Sequence, residues 1–246
     1  MVAVAQLVRA LGCGPSGCEF KSHQPPWLKK RPYYGGVFVL KLFNIFVNMN
    51  YMDSKLKQSI INEWAGGLPI EKQIIVLFEK VRDIPYGEIG SRDPEEVYRN
   101  NKGTCSGKHE LLKELYQELG IKTKDFIAMH RFKDLKVNFP DSLKEILERS
   151  DIIDPHNFFK ILVDGKWLTI DITWDKPLAR VGFSVNENWD GKSDMEICVV
   201  PLNIIETDNP IEFKKQEIAK LSEKAQEDRK LFLKELTKWA NTIRNS

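Results

Sequence analysis

The amino-acid sequence predicts an α+β chain in which amphipathic helices are followed by antiparallel strands. Apolar residues recur at helical spacing in the first half of the chain, most clearly at Leu111, Leu112, Leu115, Tyr116 and Leu119. From His156 onward the apolar residues alternate instead, in the segment HNFFKILVDGKWLTIDITWD. The dipeptide Asp164-Gly165 within that alternation is a strong signal for a tight hairpin turn. The change of period therefore marks the passage from helices to strands.

Start and stop residues locate the remaining helices. One stripe, at 56–64, ends at two glycines, and Pro69 opens the next stripe, at 70–81. Asp93-Pro94 is typical of a helix cap followed by proline in the first turn. A further helix is predicted from Ser142 to Arg149, and a long amphipathic helix from near Pro210.

Three further strands are predicted beside the hairpin. The first is the short, partly apolar segment from Asp125 to His130. Two others are predicted at Arg180 to Val185 and at Met195 to Val200, where apolar residues recur without a helical period.

Composition excludes several classes of protein. The 246 residues are 42% hydrophobic and 29% charged, with 37 basic and 35 acidic side chains, so no basic excess favours a nucleic-acid partner. The apolar segment Val37 to Val47 is too short for a membrane span, which needs roughly 20 residues. The four cysteines show neither disulfide-framework nor zinc-site spacing, so we expect a cytoplasmic protein with no cofactor and no metal.

The N-terminal segment differs from the rest of the chain. The stretch AQLVRALGCGPSGCEFKSHQPP resembles the peptide obtained when a transfer-RNA gene is translated as protein. On that interpretation residues 1–48 are non-native and the native chain starts at Met49 or Met52; a genuine flexible extension is the alternative. We predict a catalytic domain over 49–209 and a C-terminal helix over 210–246 that packs on it.

The hairpin turn also fixes which residues share a face. With Asp164-Gly165 as the turn, Val163 pairs with Lys166, and one face becomes apolar: Phe159, Ile161, Val163, Leu168, Ile170 and Ile172. The other face holds His156 and Asp171 as diagonal neighbours, roughly 7–8 Å apart along the backbone and within side-chain reach. The register thus brings an imidazole and a carboxylate together.

Cys105 is predicted to lie where a glycine-containing turn meets the start of a helix. Unpaired amides and the helix dipole at that position favour an anion, which raises the thiolate fraction of a cysteine. A nucleophile of this kind needs a base and a group that orients the base. Cys105, His156 and Asp171 supply those three parts.

These motifs together resemble the transglutaminase-like superfamily. The matching segments are GTCSGKH at 103–109, LGI at 119–121, HNF at 156–158 and GKWLTID at 165–171, and the resemblance extends over about Ile60 to Pro177. It implies a papain-like α+β core in which helices carrying the cysteine pack on an antiparallel sheet carrying His and Asp.

The resemblance also implies site roles and a reaction. Cys105 would be the nucleophile, His156 the base and acid, and Asp171 the orienter, with the Cys105 amide as one oxyanion donor. The reaction would be acyl transfer from amides of peptides or proteins through a thioester, to water or to an amine. Trp167 and Trp174 flank these residues and either line a substrate groove or pack in the core.

Several alternatives stay open. His109 lies one helical turn after Cys105 and could be a rival base or a metal ligand, and Asp175 could replace Asp171 as the acid. Cys198 is expected in the core, and His130 is expected to be structural. The whole domain could also be an inactive binding or scaffolding module on the same fold, or transfer another acyl group through its thiol.

Overall fold

A computed structural model of the chain describes residues 52–246. The proposed non-native segment 1–48 lies outside the described residues. The described residues belong to one unit by their internal contacts. None of the helices described within 52–246 combines the length and the apolar character that a membrane crossing requires.

Helices make up the first part of the described chain. They are α1 (Ser54–Ala65), α2 (Ile70–Arg82), α3 (Pro94–Asn100) and α4 (Cys105–Glu118). The predicted start signals are confirmed. Pro69 directly precedes α2, and the Asp93 carboxylate accepts hydrogen bonds from the backbone N–H groups of Glu95 and Glu96 at the start of α3.

The strands form a single antiparallel sheet. They are β1 (Thr123–Arg131), β2 (Ile153–Val163), β3 (Lys166–Ile170) and β4 (Pro201–Glu206), in the spatial order β3-β2-β1-β4. The predicted hairpin register is confirmed, because Val163 lies opposite Lys166 and Phe159 opposite Ile170. The turn residues Asp164 and Gly165 have φ values of 49° and 78°, as the tight hairpin turn requires.

The main core lies between the helices and the sheet. It contains the apolar stripe of α4 together with Phe159, Ile161, Leu168 and Ile170 from the hairpin. Apolar residues of α1 and α2 complete the same cluster. The α+β prediction is therefore confirmed, with the helix that begins at Cys105 packed on an antiparallel sheet.

A second core lies under the C-terminal helices. The remaining helices are α5 (Asp141–Arg149), α6 (Pro210–Ala219) and α7 (Glu223–Arg244), and α5 and α7 contribute residues to this core. The long helix predicted from Pro210 is thus two helices, and the Ser222 hydroxyl caps the second. The buried residues of α7 pack against α5, Trp174 and Phe183 in this core: Phe232, Leu236, Ala240 and Ile243.

Two of the predicted strands are wrong. Arg180 to Val185 spans the end of a 3-10 turn (Lys176–Val181) and a loop, and Met195 to Val200 lies outside any strand. Phe183 and Cys198 are buried in the second core from these irregular segments, so their apolar character reflects packing. The fourth strand is Pro201–Glu206, whose Leu202 and Ile204 are about half exposed at the sheet edge.

Candidate active site

Cys105 is the first residue of α4, and the segment 85–87 holds the turn that precedes it. The Gly103 N–H donates to the Pro85 carbonyl at 3.2 Å, and the Gly87 N–H donates to the Gly103 carbonyl at 3.0 Å. Cys105 is 8% exposed. By its position at the helix start, the Cys105 N–H has no intrahelical acceptor and remains available to a bound oxyanion.

Gly107 allows α3 to pack closely against this turn. A Cβ atom at Gly107 would lie 2.7 Å from Cγ2 of Val97, closer than real Cβ contacts come. Val97 is fully buried in the main core. The glycine two residues after the cysteine is therefore required by the packing of α3 on the first turn of α4.

His156 and Asp171 are joined by a short hydrogen bond. His156 lies on β2, and Asp171 follows the last residue of β3. The His156 Nε2–H donates to Asp171 Oδ2 at 2.6 Å, which leaves Nδ1 as the ring nitrogen available to Cys105. The diagonal neighbourhood that the hairpin register predicted thus brings the two side chains into contact.

The Asp171 carboxylate is held from several sides. Besides His156, it accepts from the Cys198 N–H at 2.8 Å and from the Thr173 hydroxyl at 2.8 Å. Burial raises the pKa of the Asp171 carboxyl, but the charge of His156 and its hydrogen bond outweigh burial and hold the pKa well below its ordinary value. Asp171 is therefore a buried, ionised acceptor with a fixed orientation.

Cations and a hydrogen bond stabilise the Cys105 thiolate. Burial raises the pKa of the thiol. The Lys214 charge, together with the hydrogen bond and charge of His156, outweighs burial and lowers the pKa well below its ordinary value. The interaction with His156 is mutual: burial lowers the pKa of His156, but Asp171 and Cys105 raise it to about 9. Both shifts favour a thiolate beside an imidazolium.

Comparisons with known proteins find only remote similarities. No protein-family model matches the chain, and no curated protein does. Solved structures with similar folds include a proposed cysteine protease from Cytophaga hutchinsonii, at 15% identity and a TM-score of 0.38 over 70% of this chain and 57% of that one. Another is a TGase, at 16% identity and a TM-score of 0.36 over 57% of this chain and 38% of that one.

Only the geometry therefore bears on this site. The chain spans less than two thirds of either solved structure, and both similarities are too distant to carry a conclusion about activity. The residues themselves provide a candidate nucleophile in Cys105, a base in His156 whose charge helps to lower the pKa of the thiol, and an orienter in Asp171 that is hydrogen-bonded to the base.

Both ring nitrogens of His109 are hydrogen-bonded to backbone groups. Its Nδ1 lies 2.6 Å from the Cys105 carbonyl and its Nε2 accepts from the Ile172 N–H at 3.0 Å. Since Nε2 accepts, Nδ1 carries the proton and neither nitrogen is free to serve as a base for Cys105. Within residues 52–246 no group of three or more His, Cys, Asp and Glu side chains is placed to hold a metal.

The alternative acid, Asp175, is engaged elsewhere. Both of its carboxylate oxygens accept hydrogen bonds at 2.7 Å from the Arg244 guanidinium, and one also accepts from the Tyr86 N–H. This bidentate pair joins the loop after Asp171 to the end of α7. Asp171, and not Asp175, is the carboxylate that contacts His156.

The two tryptophans predicted to bind substrate lie in different surroundings. Trp174 is 2% exposed in the second core, where its ring centroid lies 4.4 Å from that of Tyr86. Of the two alternatives given for Trp174, a substrate groove or the core, its surroundings match the core. Trp167 is exposed beside the hairpin turn, with the Lys124 ammonium 5.3 Å from its ring centroid. A role for either in substrate binding stays a prediction.

Lys214 is the residue of this site that the sequence did not reveal. It lies on α6 and is 4% exposed, and its Nζ is 3.5 Å from Cys105 Sγ and 3.0 Å from Ser106 Oγ. A lysine in a charge-rich amphipathic helix is normally solvated, so nothing in the local pattern marks it. The separation of 109 residues between Lys214 and Cys105 also gives no local signal.

Proposed function

We propose that this chain is a thiol-dependent hydrolase or acyltransferase that acts on amide bonds of peptides or proteins, as the transglutaminase-like motifs imply. The observation that carries the proposal is the buried 2.6 Å hydrogen bond between His156 and Asp171, beside a Cys105 thiol whose pKa His156 helps to lower. A nucleophile, a base and an orienter in this order are the requirements of covalent acyl transfer.

The first half of the reaction forms a thioester. The Cys105 thiolate attacks the carbonyl carbon of the amide, and the electron pair of the carbonyl bond moves onto oxygen. The tetrahedral adduct then collapses as the carbon–nitrogen bond breaks, and the His156 imidazolium gives its proton to the departing nitrogen. The acyl group remains on sulfur, and His156 is now neutral and able to act as a base.

The second half transfers the acyl group to an acceptor. Neutral His156 takes a proton from water or from a primary amine as that molecule attacks the thioester carbon. The carbon–sulfur bond breaks, and the thiolate and the imidazolium are restored together. Water as acceptor gives a peptidase or deamidase, and an amine gives a crosslinked or modified product.

A cavity lined in part by Arg229 offers room for a peptide side chain. It has a volume of about 780 Å³ and lies between the loop that contains Glu88 and Gly90 and the faces of α6 and α7 that carry Ile218, Arg229 and Leu233. Arg229 also pairs with buried Asp154, and Asp154 together with Cys105 raises the pKa of the Arg229 guanidinium despite its burial. We infer that part of a peptide substrate occupies this cavity while its amide lies against Cys105.

Intact-mass spectrometry of an acyl-enzyme tests the proposal. Incubation with a panel of peptides, including glutamine-containing ones, is expected to add one acyl mass to Cys105 during turnover. Hydroxylamine is expected to discharge that adduct as a hydroxamate, because it is a strong nucleophile toward thioesters. Release of ammonia, a shortened peptide or an amine adduct identifies the acceptor and the bond cleaved.

Two variants make the result specific. Cys105→Ala is expected to form no adduct, whereas Cys198→Ala removes the other described cysteine, which is buried with a raised pKa, and is expected to acylate normally. Peptides that bind without any adduct on the wild-type protein would favour the inactive binding domain instead.

A further inference from the structure

Lys214 approaches the reacting sulfur from a helix outside the Cys–His–Asp set. Its ammonium is 3.5 Å from Cys105 Sγ, within hydrogen-bonding range for sulfur. Cys105, which begins α4, and Lys214, in the middle of α6, are both buried. The Lys214 ammonium therefore contacts Cys105 Sγ, the atom that attacks the substrate in the proposed reaction.

A chain of hydrogen bonds positions this ammonium. Lys214 Nζ donates to Ser106 Oγ at 3.0 Å, and Ser106 Oγ–H donates to Asn157 Oδ1 at 2.9 Å. Asn157 is the residue after His156 on β2. The two residues that follow the nucleophile and the base along the chain thus fix where the lysine points.

The burial of Lys214 contrasts with the rest of its helix. Pro210 and Lys214 are the buried residues of α6, and Ile211 on the same helix is 44% exposed. Burying an ammonium is costly unless it is paired with an anion. The nearby carboxylate of Asp154 is already paired with Arg229, so the Cys105 thiolate is the anion that Lys214 contacts directly.

We propose that Lys214 is a fourth catalytic side chain, which neutralises the Cys105 thiolate in the resting site and then donates to the oxygen of the substrate carbonyl as that oxygen becomes negative. This inference rests on the proposed acyl transfer. It supplies the second oxyanion donor, beside the Cys105 N–H.

The charge that Lys214 stabilises moves a short way during acylation. When the sulfur–carbon bond forms, the negative charge leaves Sγ and appears on an oxygen two bonds away. An ammonium beside Sγ can follow it with a small side-chain rotation, because an oxyanion donor needs to come within roughly 3 Å of the oxygen. When the carbon–nitrogen bond breaks, the oxygen returns to a carbonyl and the ammonium keeps its proton throughout.

Comparing two reactions of the same sulfur tests this role. Alkylation by iodoacetamide needs a thiolate but no oxyanion, whereas acylation by a peptide substrate needs both. For wild type and for Lys214→Met, the rates of alkylation and of acylation are measured at a pH where the alkylation rate of that protein no longer rises. At that pH the Cys105 thiolate is fully formed. Acylation is expected to fall roughly 10²–10³-fold, the loss found when one oxyanion donor is removed, while alkylation changes far less.

Two further variants serve as controls. Lys215→Met removes the same charge from the adjacent residue of α6, whose side chain is 79% exposed, and is expected to leave both rates unchanged. Lys214→Arg keeps a cation and is expected to retain more acylation than Lys214→Met. A cooperative thermal melt of Lys214→Met itself excludes loss of folding as the cause of its lower acylation.

An acylation rate of Lys214→Met equal to that of wild type would overturn the proposed role of Lys214. A faster rate would also overturn it, because Lys214 would then hinder acylation. A wild-type protein that alkylates at Cys105 but never acylates would instead show that the proposed function is wrong.

Discussion

Replacing His156 by glutamine is expected to lower amide turnover by roughly 10⁵-fold or more, the order found when the base of a serine triad is removed. The variant loses the proton donor for the departing nitrogen and the base for the second half-reaction. It also loses a partner of the thiolate, whose pKa the hydrogen bond and charge of His156 help to lower. The measurement is the steady-state rate of product release with the best peptide of the acylation screen.

The matched control for this variant is His130→Gln. His130 is equally buried, and its ring centroid lies 5.9 Å from that of His156, but the pKa of His130 falls to about 4 because burial outweighs the Asp154 charge. It is therefore neutral at working pH and is expected to matter much less. Turnover in His156→Gln within tenfold of wild type would contradict the assignment of His156 as base.

Replacing Asp171 by asparagine is expected to lower turnover by about 10⁴-fold, the loss seen when the acid of a serine triad is changed to its amide. The carboxylate fixes the His156 ring with Nε2 protonated and stabilises the imidazolium. The Asp171 carboxylate accepts hydrogen bonds from the Thr173 hydroxyl and from the Cys198 N–H. An asparagine would place its NH₂ group, a donor, against one of these two donors.

Asp175→Asn separates an effect on catalysis from an effect on folding. It weakens the bidentate pair with Arg244 and is expected to lower the melting temperature while acylation persists. Asp171→Asn should reduce acylation in protein that still melts cooperatively. If Asp175→Asn abolished acylation and Asp171→Asn did not, Asp175 would be the functional acid.

The part of the site that the sequence predicted is the part encoded by local patterns. Asp164-Gly165 allows one tight turn, that turn fixes the register, and the register places His156 beside Asp171. The turn before Cys105 is likewise local, because its glycines and the helix stripe are contiguous in the chain. Each of these inferences needed only local turn residues and the periods of helix and strand.

The parts that the sequence did not predict depend on tertiary packing. Phe183 and Cys198 are apolar because they fill the second core from loops, so a strand inferred from their segments is wrong. Trp174 lies near Asp171 in the chain yet packs against Tyr86, a contact that only the docking of distant segments creates. Lys214 joins the site in the same way, since its helix looks solvated until it is placed over β1 and β2.

The activated state of Cys105 is the central claim, and the pH dependence of its alkylation tests that claim most directly. Iodoacetamide at low concentration is applied to wild type and to His156→Gln across pH 5–9, and labelling of Cys105 is followed by peptide mass spectrometry. We expect wild-type labelling well below pH 8.5, the ordinary range of a cysteine thiol, and a midpoint displaced upward in His156→Gln. Labelling that rises near pH 8.5 in both proteins would contradict the account, because Cys105 would then be an ordinary thiol without a charged partner.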